Sequence, residues 1–392
     1  MKLVVTADLH LSESEPERLE IFRWLLNQVI EENADGLLIG GDVFDSNHDF
    51  RVLKGEFLST LKDLRTYFPI VTVPGNHDSG LTSRTFLGER TSILDDRNEK
   101  VTLSAEGQKV IITGRGYHPG ENEEGNLRDV PEAPPTGTTS IFLTHGSLID
   151  PEREYIFKGI DRQDEENEHL IFRRDFDDLN YDCVILGHWH GSSHFQGEKT
   201  DFLYPGSLLP TSKSELGEKF YWVLTLSDGG KFEFNRKPIT ADSSWYYRKE
   251  SLFALPNYGK ETPDRLHELL NEVPGDPRCY LIVEIRGFVS SKDELELKEK
   301  LDKVKNNFEG DFNDIQLDWN LVATEGFDEP LVSNFIKKIE ELDKSDVNPG
   351  SFLSSNESRY LSIFRSLIND EFDEIKRRIL EGSLQVFSDR LD

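Results

Sequence analysis

The first 80 residues alternate short apolar runs with longer amphipathic segments. Residues 2–7, 37–39 and 70–73 are apolar runs of strand length. Between the first two, residues 15–32 place Leu, Phe, Val and Ile at helical spacing, and a second segment of this kind precedes the third run. This order of strand, helix, strand, helix and strand predicts parallel strands joined by helical crossovers, and therefore an α/β fold.

Five apolar runs of the chain end directly at an Asp, Asn or His residue. In residues 37–42 two glycines close the run and the carboxylate of Asp42 follows. Parallel α/β sheets bind ligands beyond the carboxyl ends of their strands, so these polar side chains are expected at one edge. We predict that they form a metal centre bridged by Asp42. The other residues that follow the five runs are Asp8 and His10, then Asn76, His77 and Asp78, then His145, then His188 and His190.

Seven of these residues offer carboxylate, imidazole or amide donors, and none is a cysteine. Such a set suits Mn, Fe, Zn or Co rather than a structural zinc ion. The spacing of two in Asp8-x-His10 and His188-x-His190 places both side chains of each pair on one side of an extended chain. The predicted arrangement is a two-metal site that activates a water and holds a phosphoryl group.

His77 is left over for proton transfer, because it stands next to the ligand Asn76 without being needed as a ligand. An imidazole beside a metal pair can protonate a leaving oxygen, and Asp78 is expected to orient its ring. A single histidine is more often a core or surface residue. That assignment is kept for the remaining five, of which the first and fourth could line the cleft: His48, His118, His169, His194 and His267.

The pattern divides the chain into three predicted parts. Residues 1–237 form the first domain, which includes a hairpin near 101–113, a surface loop over 115–137 and antiparallel strands over 200–235. Residues 245–328 are predicted to form a small α+β unit, and residues 329–392 contain two predicted helices. The apolar stripe of the second helix either docks on a partner or packs on the chain's own domains.

Composition limits the function classes. A net charge of −29 argues against a simple nucleic-acid binder, and 392 residues exceed one ordinary core. No apolar run has the length of a membrane span, and the chain enters a strand without a signal peptide. Cys183 and Cys279 are expected to be core residues, which suits a cytoplasmic protein with no membrane segment.

Five sequence motifs together resemble those of the calcineurin-like metallophosphoesterases. They are Asp8-x-His10, Gly41-Asp42-x-x-Asp45, Gly75-Asn76-His77-Asp78, the lone His145 and Gly187-His188-x-His190. Residues 204–208 (Tyr-Pro-Gly-Ser-Leu) narrow the resemblance to the SbcD-type nucleases of DNA double-strand-break repair. This resemblance implies a four-layer α/β sandwich followed by a capping domain and C-terminal helices.

The resemblance also implies ligands, an activity and partners. Asp8, His10, Asp42 and His190 would hold one manganese ion. Asp42, Asn76, His145 and His188 would hold the second, with His77 acting on the substrate. The activity would be exo- and endonucleolytic cleavage of DNA. The chain would act together with an SbcC-type coiled-coil ATPase, bound through the C-terminal helices. Formation of a homodimer is a further possibility.

Two departures from the family pattern leave other interpretations open. Some relatives have a histidine near the position of Asp45, and residues 251–300 carry seven basic and ten acidic side chains, without the basic excess of a DNA clamp. The acidic charge favours a stand-alone phosphodiesterase or phosphatase acting on a small phosphate ester, because each DNA phosphate contacted needs a cation. An interaction protein with a vestigial site is disfavoured by the complete set of ligands.

Overall fold

The computed structural model describes residues 1–64, 66–95, 99–117, 137–149, 169–176, 179–197, 199–254, 262–289 and 293–323. The chain separates into two compact units, Met1–Tyr247 and Arg248–Asp392. The predicted helices after residue 329, and most of the predicted loop over 115–137, lie outside the described residues. The predicted domain limits at 237, 245 and 328 stay predictions.

In its described residues, the first unit contains two helices and two large sheets. Its elements in chain order are β1 (Lys2–Thr6), α1 (Glu17–Glu31), β2 (Gly36–Ile39), α2 (Asn47–Asp63), β3 (Ile70–Thr72), β4 (Thr91–Ile93), β5 (Lys100–Ala105), β6 (Gln108–Arg115), β7 (Thr139–His145), β8 (Ser147–Ile149), β9 (Leu170–Phe172), a 3₁₀ turn (Arg173–Phe176), β10 (Cys183–Gly187), β11 (Ser193–Phe195), β12 (Asp201–Tyr204), β13 (Phe220–Leu226) and β14 (Phe232–Pro238).

The first sheet has the strand order β14-β13-β1-β2-β3-β4. Strands β1 to β3 run parallel, as the sequence pattern predicts, and β4 adds a fourth parallel strand that was not predicted, while β13 joins β1 antiparallel. Helices α1 and α2 cover its outer face, where Phe22 stacks on Phe57 with ring centroids 5.2 Å apart. The side chain of Ser46 accepts the amide of Asp49 and so satisfies one free donor at the start of α2.

The second sheet has the strand order β11-β12-β10-β7-β6-β5. Strands β6, β7, β10 and β12 are parallel, and β5 and β6 form the predicted antiparallel hairpin. Its inner face packs on the first sheet through a shared core that includes Val5, Leu38, Ile141 and Ile185. In the described residues, its outer face is covered by β8, β9 and the 3₁₀ turn around Phe176.

The five strands with polar ends are divided between the two sheets. β1, β2 and β3 belong to the first sheet, and β7 and β10 belong to the second. The sheets meet at two glycines, since a Cβ on Gly187 would lie 1.9 Å from the carbonyl oxygen of Gly40. The sequence predicts one ligand-bearing edge; the structure forms that edge from two sheets in contact.

The described part of the second unit is a small α+β fold, as predicted. It contains β15 (Tyr246–Ala254), α3 (Thr262–Glu272), β16 (Asp276–Val289), α4 (Glu294–Asn306) and β17 (Phe312–Ala323). The strand order is β15-β16-β17, and β16 and β17 are parallel.

Cys279 on β16 is buried, and so is Cys183 on β10 of the first unit. Within the described ranges, none of the helices has both the length and the apolar character needed to cross a membrane.

Candidate metal centre

The seven predicted ligands converge where the two sheets meet. Strands β1, β2 and β3 lead into Asp8 and His10, Asp42, and Asn76, while β7 ends at His145 and β10 leads into His188 and His190. Four of these residues have positive backbone φ angles: Asp8 (51°), His10 (45°), Asp42 (46°) and His188 (92°). Non-glycine residues seldom adopt this conformation, and when they do they concentrate at functional sites.

One group of donors consists of Asp8, His10 and His190. The Nε2 atoms of the two histidines lie 3.1 Å apart. Their Nδ1 atoms face carboxylates instead, at 3.0 Å from Asp45 Oδ1 for His10 and 2.8 Å from Glu215 Oε1 for His190. Because a carboxylate only accepts hydrogen bonds, both Nδ1 atoms carry a proton, and in the neutral form of each ring the Nε2 atom presents a lone pair.

Two facing lone pairs repel one another unless a positive charge lies near them. Asp8 belongs to the same group, and its Oδ2 atom is buried and has no hydrogen-bond partner among the described residues. A buried carboxylate oxygen without a partner is costly, whereas a cation would satisfy it together with both imidazoles. The residues present therefore fit a divalent metal ion.

A second group of donors surrounds Asn76. His145 places Nε2 at 2.9 Å from Asn76 Oδ1, and His188 places Nδ1 at 3.2 Å from the same oxygen. The Nδ1–H of His145 donates to the carbonyl oxygen of Gly40 at 2.8 Å, which leaves Nε2 as the ligating atom. Two imidazole nitrogens thus lie next to one amide oxygen.

Asp42 lies between the two groups. Its Oδ2 atom is 3.8 Å from His10 Nε2 and 3.4 Å from His145 Nε2, while Oδ1 accepts the amide of His77 at 2.9 Å. Burial alone would raise the pKa of Asp42, but the imidazoles of His145, His10 and His77 outweigh it and hold that pKa below the usual range. This position suits the predicted bridging carboxylate.

The electrostatic environment of the second group favours cations. Burial lowers the pKa of His145, yet the carboxylates of Asp42 and Asp8 more than compensate and raise it to about 9. Carboxylates that hold a proton this firmly on a buried imidazole would equally stabilise a metal ion at the same place.

A glycine makes room for His145. Gly41 has a φ of +96°, and a Cβ on it would lie 2.5 Å from His145 Nδ1. A larger residue would face both an unfavourable backbone conformation and a direct clash with the imidazole. The Gly-Gly pair before Asp42 therefore serves the site as well as the end of the strand.

His77 and Asp78 differ in their surroundings from the prediction. The Asp78 carboxylate accepts the backbone amides of Gly75 at 2.7 Å, Val43 at 2.8 Å and Phe44 at 3.2 Å. Burial and the nearby Asp42 charge raise its pKa to about 7. The His77 ring is held by Asp45, whose backbone oxygen lies 2.8 Å from His77 Nδ1. The prediction that Asp78 orients the His77 ring is therefore corrected. Asp78 instead holds two backbone segments, the one that follows Asp42 and the one that precedes Asn76.

Sequence reasoning missed the roles of Asp45 and Glu215. Asp45 stands in a recognised motif, but its contact with His10 could only be seen in three dimensions. Glu215 lies in a polar segment after Tyr204-Pro205-Gly206-Ser207, where neither spacing nor apolar context distinguishes it from other surface acids. Its contact with His190 is seen only in three dimensions.

The other described histidines have packing or surface roles. His169 lies 2.8 Å from the backbone oxygen of His145, and His194 stacks on Phe234 with centroids 4.0 Å apart. His48 is exposed and lies 3.6 Å from Glu13, and His267 packs against Phe308. His118 is outside the described residues.

The first part of the chain matches a known protein family. Residues 1–192 match the model of the calcineurin-like phosphoesterase family. The chain contains a calcineurin-like phosphoesterase domain. The predicted resemblance and fold class are thereby confirmed for this domain. Five of the seven predicted ligands lie in groups of side chains that could hold a metal ion: Asp8, His10, Asp42, His145 and His190.

Three relatives show how far this likeness extends. The chain is 23% identical over 415 residues to the "DNA double-strand break repair protein Mre11" of Methanosarcina mazei, covering 97% of this chain and 60% of that protein. It is 30% identical over 129 residues to one component of the nuclease SbcCD of Escherichia coli K12, covering 31% of each. It is 25% identical over 231 residues to the "Uncharacterized metallophosphoesterase YhaO" of Bacillus subtilis, covering 55% of this chain and 51% of that protein. The chain thus spans less than two thirds of the length of each.

Proposed function

We propose that the protein is a two-metal-dependent DNA nuclease that acts in double-strand-break repair. The observation that carries this proposal is the pair of donor groups on either side of Asp42, in a chain whose relatives include a repair protein and a component of a nuclease. The proposed reaction is hydrolysis of a phosphodiester bond, both from DNA ends and within the strand.

The donor groups suggest an assignment for each ion. Asp8, His10, Asp42 and His190 would hold one, and Asp42, Asn76, His145 and His188 the other, with manganese as the proposed metal. When bound, such a pair of ions supplies an activated water and neutralises charge on the phosphoryl group. The protein's part is to hold these side chains, and through Asp42 to hold both groups in one frame.

His77 is proposed to protonate the leaving oxygen. Its Nδ1–H donates to the Asp45 backbone oxygen, so Nε2 is the atom free to deliver a proton. The side chain is 41% exposed, which a residue that meets substrate needs.

The negative charge is the main argument for a different substrate. With 74 acidic against 45 basic side chains, and thus a net charge of −29, the chain as a whole repels a polyanion such as DNA. A stand-alone phosphodiesterase or phosphatase acting on a small phosphate ester is therefore the second candidate. It would use the same ligands and the same His77.

The partners belong to the proposal as well. We infer a three-part chain of nuclease domain (1–237), capping domain (245–328) and C-terminal segment (329–392) that docks on an SbcC-type coiled-coil ATPase. Such a partner would bring DNA to a surface too acidic to attract it alone. A homodimer and a cytoplasmic location stay predictions.

The deciding experiment compares three substrates with the purified chain and manganese: linear duplex DNA, single-stranded DNA and bis-p-nitrophenyl phosphate. We expect cleavage of all three, with Asp42→Ala as the inactive control. If the ester is cleaved while DNA stays intact at low salt, the assay is repeated with the candidate ATPase. DNA that is still intact would contradict the nuclease proposal and favour the small-ester enzyme.

A further inference from the structure

Glu215 occupies a position next to the candidate centre that no sequence motif indicates. Its Oε1 atom lies 2.8 Å from His190 Nδ1 and 3.0 Å from the backbone amide of Thr211. Its Oε2 atom is paired with Lys219 Nζ at 2.5 Å. The carboxylate is therefore held from three sides, with the imidazole of His190 on one of them.

The contacts of His190 determine which nitrogen carries the proton. Thr211 Oγ1 lies 2.9 Å from Nδ1, and its hydroxyl donates to Glu215, so it too can only accept from the ring. Both neighbours of Nδ1 thus require an N–H there. The Nε2 lone pair is consequently directed at His10 Nε2, 3.1 Å away, in the group that includes the Asp8 oxygen without a hydrogen-bond partner among the described residues.

The segment that carries Glu215 is itself anchored. Lys219 Nζ also donates to Ser207 Oγ at 3.0 Å and to the backbone oxygen of His190 at 3.3 Å. Arg18, which is 5% exposed, donates from Nη2 to the Pro210 oxygen at 2.9 Å. The half-buried Lys219 and the buried Arg18 therefore fix the loop on either side of Thr211, and the carboxylate has little freedom to leave the imidazole.

We propose that Glu215 is a positioning residue for His190, which fixes the ring and its tautomer and so raises the affinity of the Asp8–His10–His190 group for its metal ion. The inference rests on the proposed two-metal function and adds to it a residue outside the family motifs. Outer-shell carboxylates of this kind typically change metal affinity by about 10–100-fold when removed.

The test is a manganese titration of the metal-stripped full chain, with free Mn²⁺ counted by electron paramagnetic resonance. We expect two classes of site in the wild type. Glu215→Ala should weaken one class by about 10–100-fold and leave the other unchanged. Glu215→Gln keeps an oxygen that can accept from Nδ1 and should recover part of the loss. The matched control is Asp35→Ala, which removes a carboxylate that accepts the Lys2 amide at the opposite end of β1.

Removal of Glu215 alone leaves the half-buried Lys219 without its counter-charge and could unfold the loop. The double variant Glu215→Ala/Lys219→Met removes both charges and should show the same weakening in a chain whose thermal melt is cooperative. Unchanged affinity of both classes in a folded variant would overturn the inference. That outcome is separate from a failure of the nuclease proposal, in which the wild type binds manganese as expected but leaves DNA intact.

Discussion

The two donor groups of the candidate centre are oriented by different means. In the Asp8–His10–His190 group, each imidazole is held by the side-chain carboxylate of a residue distant in sequence, Asp45 or Glu215. In the Asn76–His145–His188 group, His145 is held by the backbone oxygen of Gly40 and fits only because Gly41 has no side chain. One half depends on side chains and the other on the close approach of main chains.

This difference determines which mutations each half should tolerate. A side-chain orienter can be exchanged or weakened without moving the sheets, so the first half should lose affinity in graded steps. A backbone oxygen that orients a ligand cannot be removed by a side-chain substitution, so the metal affinity of the second half should be insensitive to most substitutions. Replacement of a glycine should instead lower its metal affinity and the local stability together. Four substitutions test this contrast, from the largest expected effect to the smallest.

Asp42→Ala should impair both halves of the centre alike, because Asp42 contacts both. We expect loss of both manganese ions and a fall in cleavage of bis-p-nitrophenyl phosphate by about 10⁴-fold, equivalent to about 5.5 kcal/mol in the barrier. Metal content and initial rates are measured on the same preparations, with Asp35→Ala as the control. A variant that kept both ions would show that Asp42 does not join the halves.

His77→Ser should separate chemistry from metal binding. We expect both ions to bind as in the wild type, while cleavage falls by about 10²–10⁴-fold through loss of proton transfer. His48→Ser is the matched control, because it removes an exposed histidine that pairs only loosely with Glu13 at 3.6 Å. Normal cleavage by His77→Ser would refute its assigned role.

Gly41→Ala should break the backbone-oriented half. The new Cβ meets His145 Nδ1 at 2.5 Å at a φ of +96°, and we expect a loss of about 3 kcal/mol in the free energy of unfolding from clash and strain. Urea denaturation measures this loss. Gly55→Ala, where a Cβ on α2 meets nothing within 4 Å, should instead stabilise the protein by about 0.5–1 kcal/mol. Equal behaviour of the two variants would contradict the account of Gly41.

Asp45→Ala should weaken only the half oriented by side chains. We expect manganese affinity to fall by about 10–100-fold in one class of site. The backbone oxygen that holds His77 is retained, so cleavage at saturating manganese should stay near the wild-type rate. Asp45→Asn, which can still accept from His10 Nδ1, should lose less. If saturating metal did not restore the rate, Asp45 would act on His77 through its carboxylate as well.

The same contrast explains what the sequence could predict. The glycines and ligands of the backbone-oriented half lie next to strands, so short motifs such as Gly41-Asp42 and Gly75-Asn76 reveal them. The alternation of strands and helices likewise predicted β1 to β3 with α1 and α2. Glu215 reaches His190 across 25 positions of sequence, and the contact depends on loop packing that no periodicity encodes.

The division of ligands between sheets was equally hidden. Local patterns predict that a strand ends at a ligand, but not which sheet it joins, because that depends on long-range pairing. The contact of Gly40 with Gly187 supplies the missing constraint. Asp78 illustrates a further limit: its neighbour in sequence is His77, yet its bonds go to the backbone of Gly75, Val43 and Phe44.

The contact between the two sheets at Gly40 and Gly187 has a consequence for folding. Four of the proposed ligands belong to one sheet and three to the other, so each ion would act as a cross-link between two layers that are otherwise joined by apolar packing. A chain whose sheets have not yet docked has no such site, and metal uptake would report that docking is complete. At a free metal concentration of 100 times Kd, each independent ion would add about 2.7 kcal/mol to the free energy of unfolding of the protein with docked sheets. Metal supply would then set the lifetime of the protein as well as its activity.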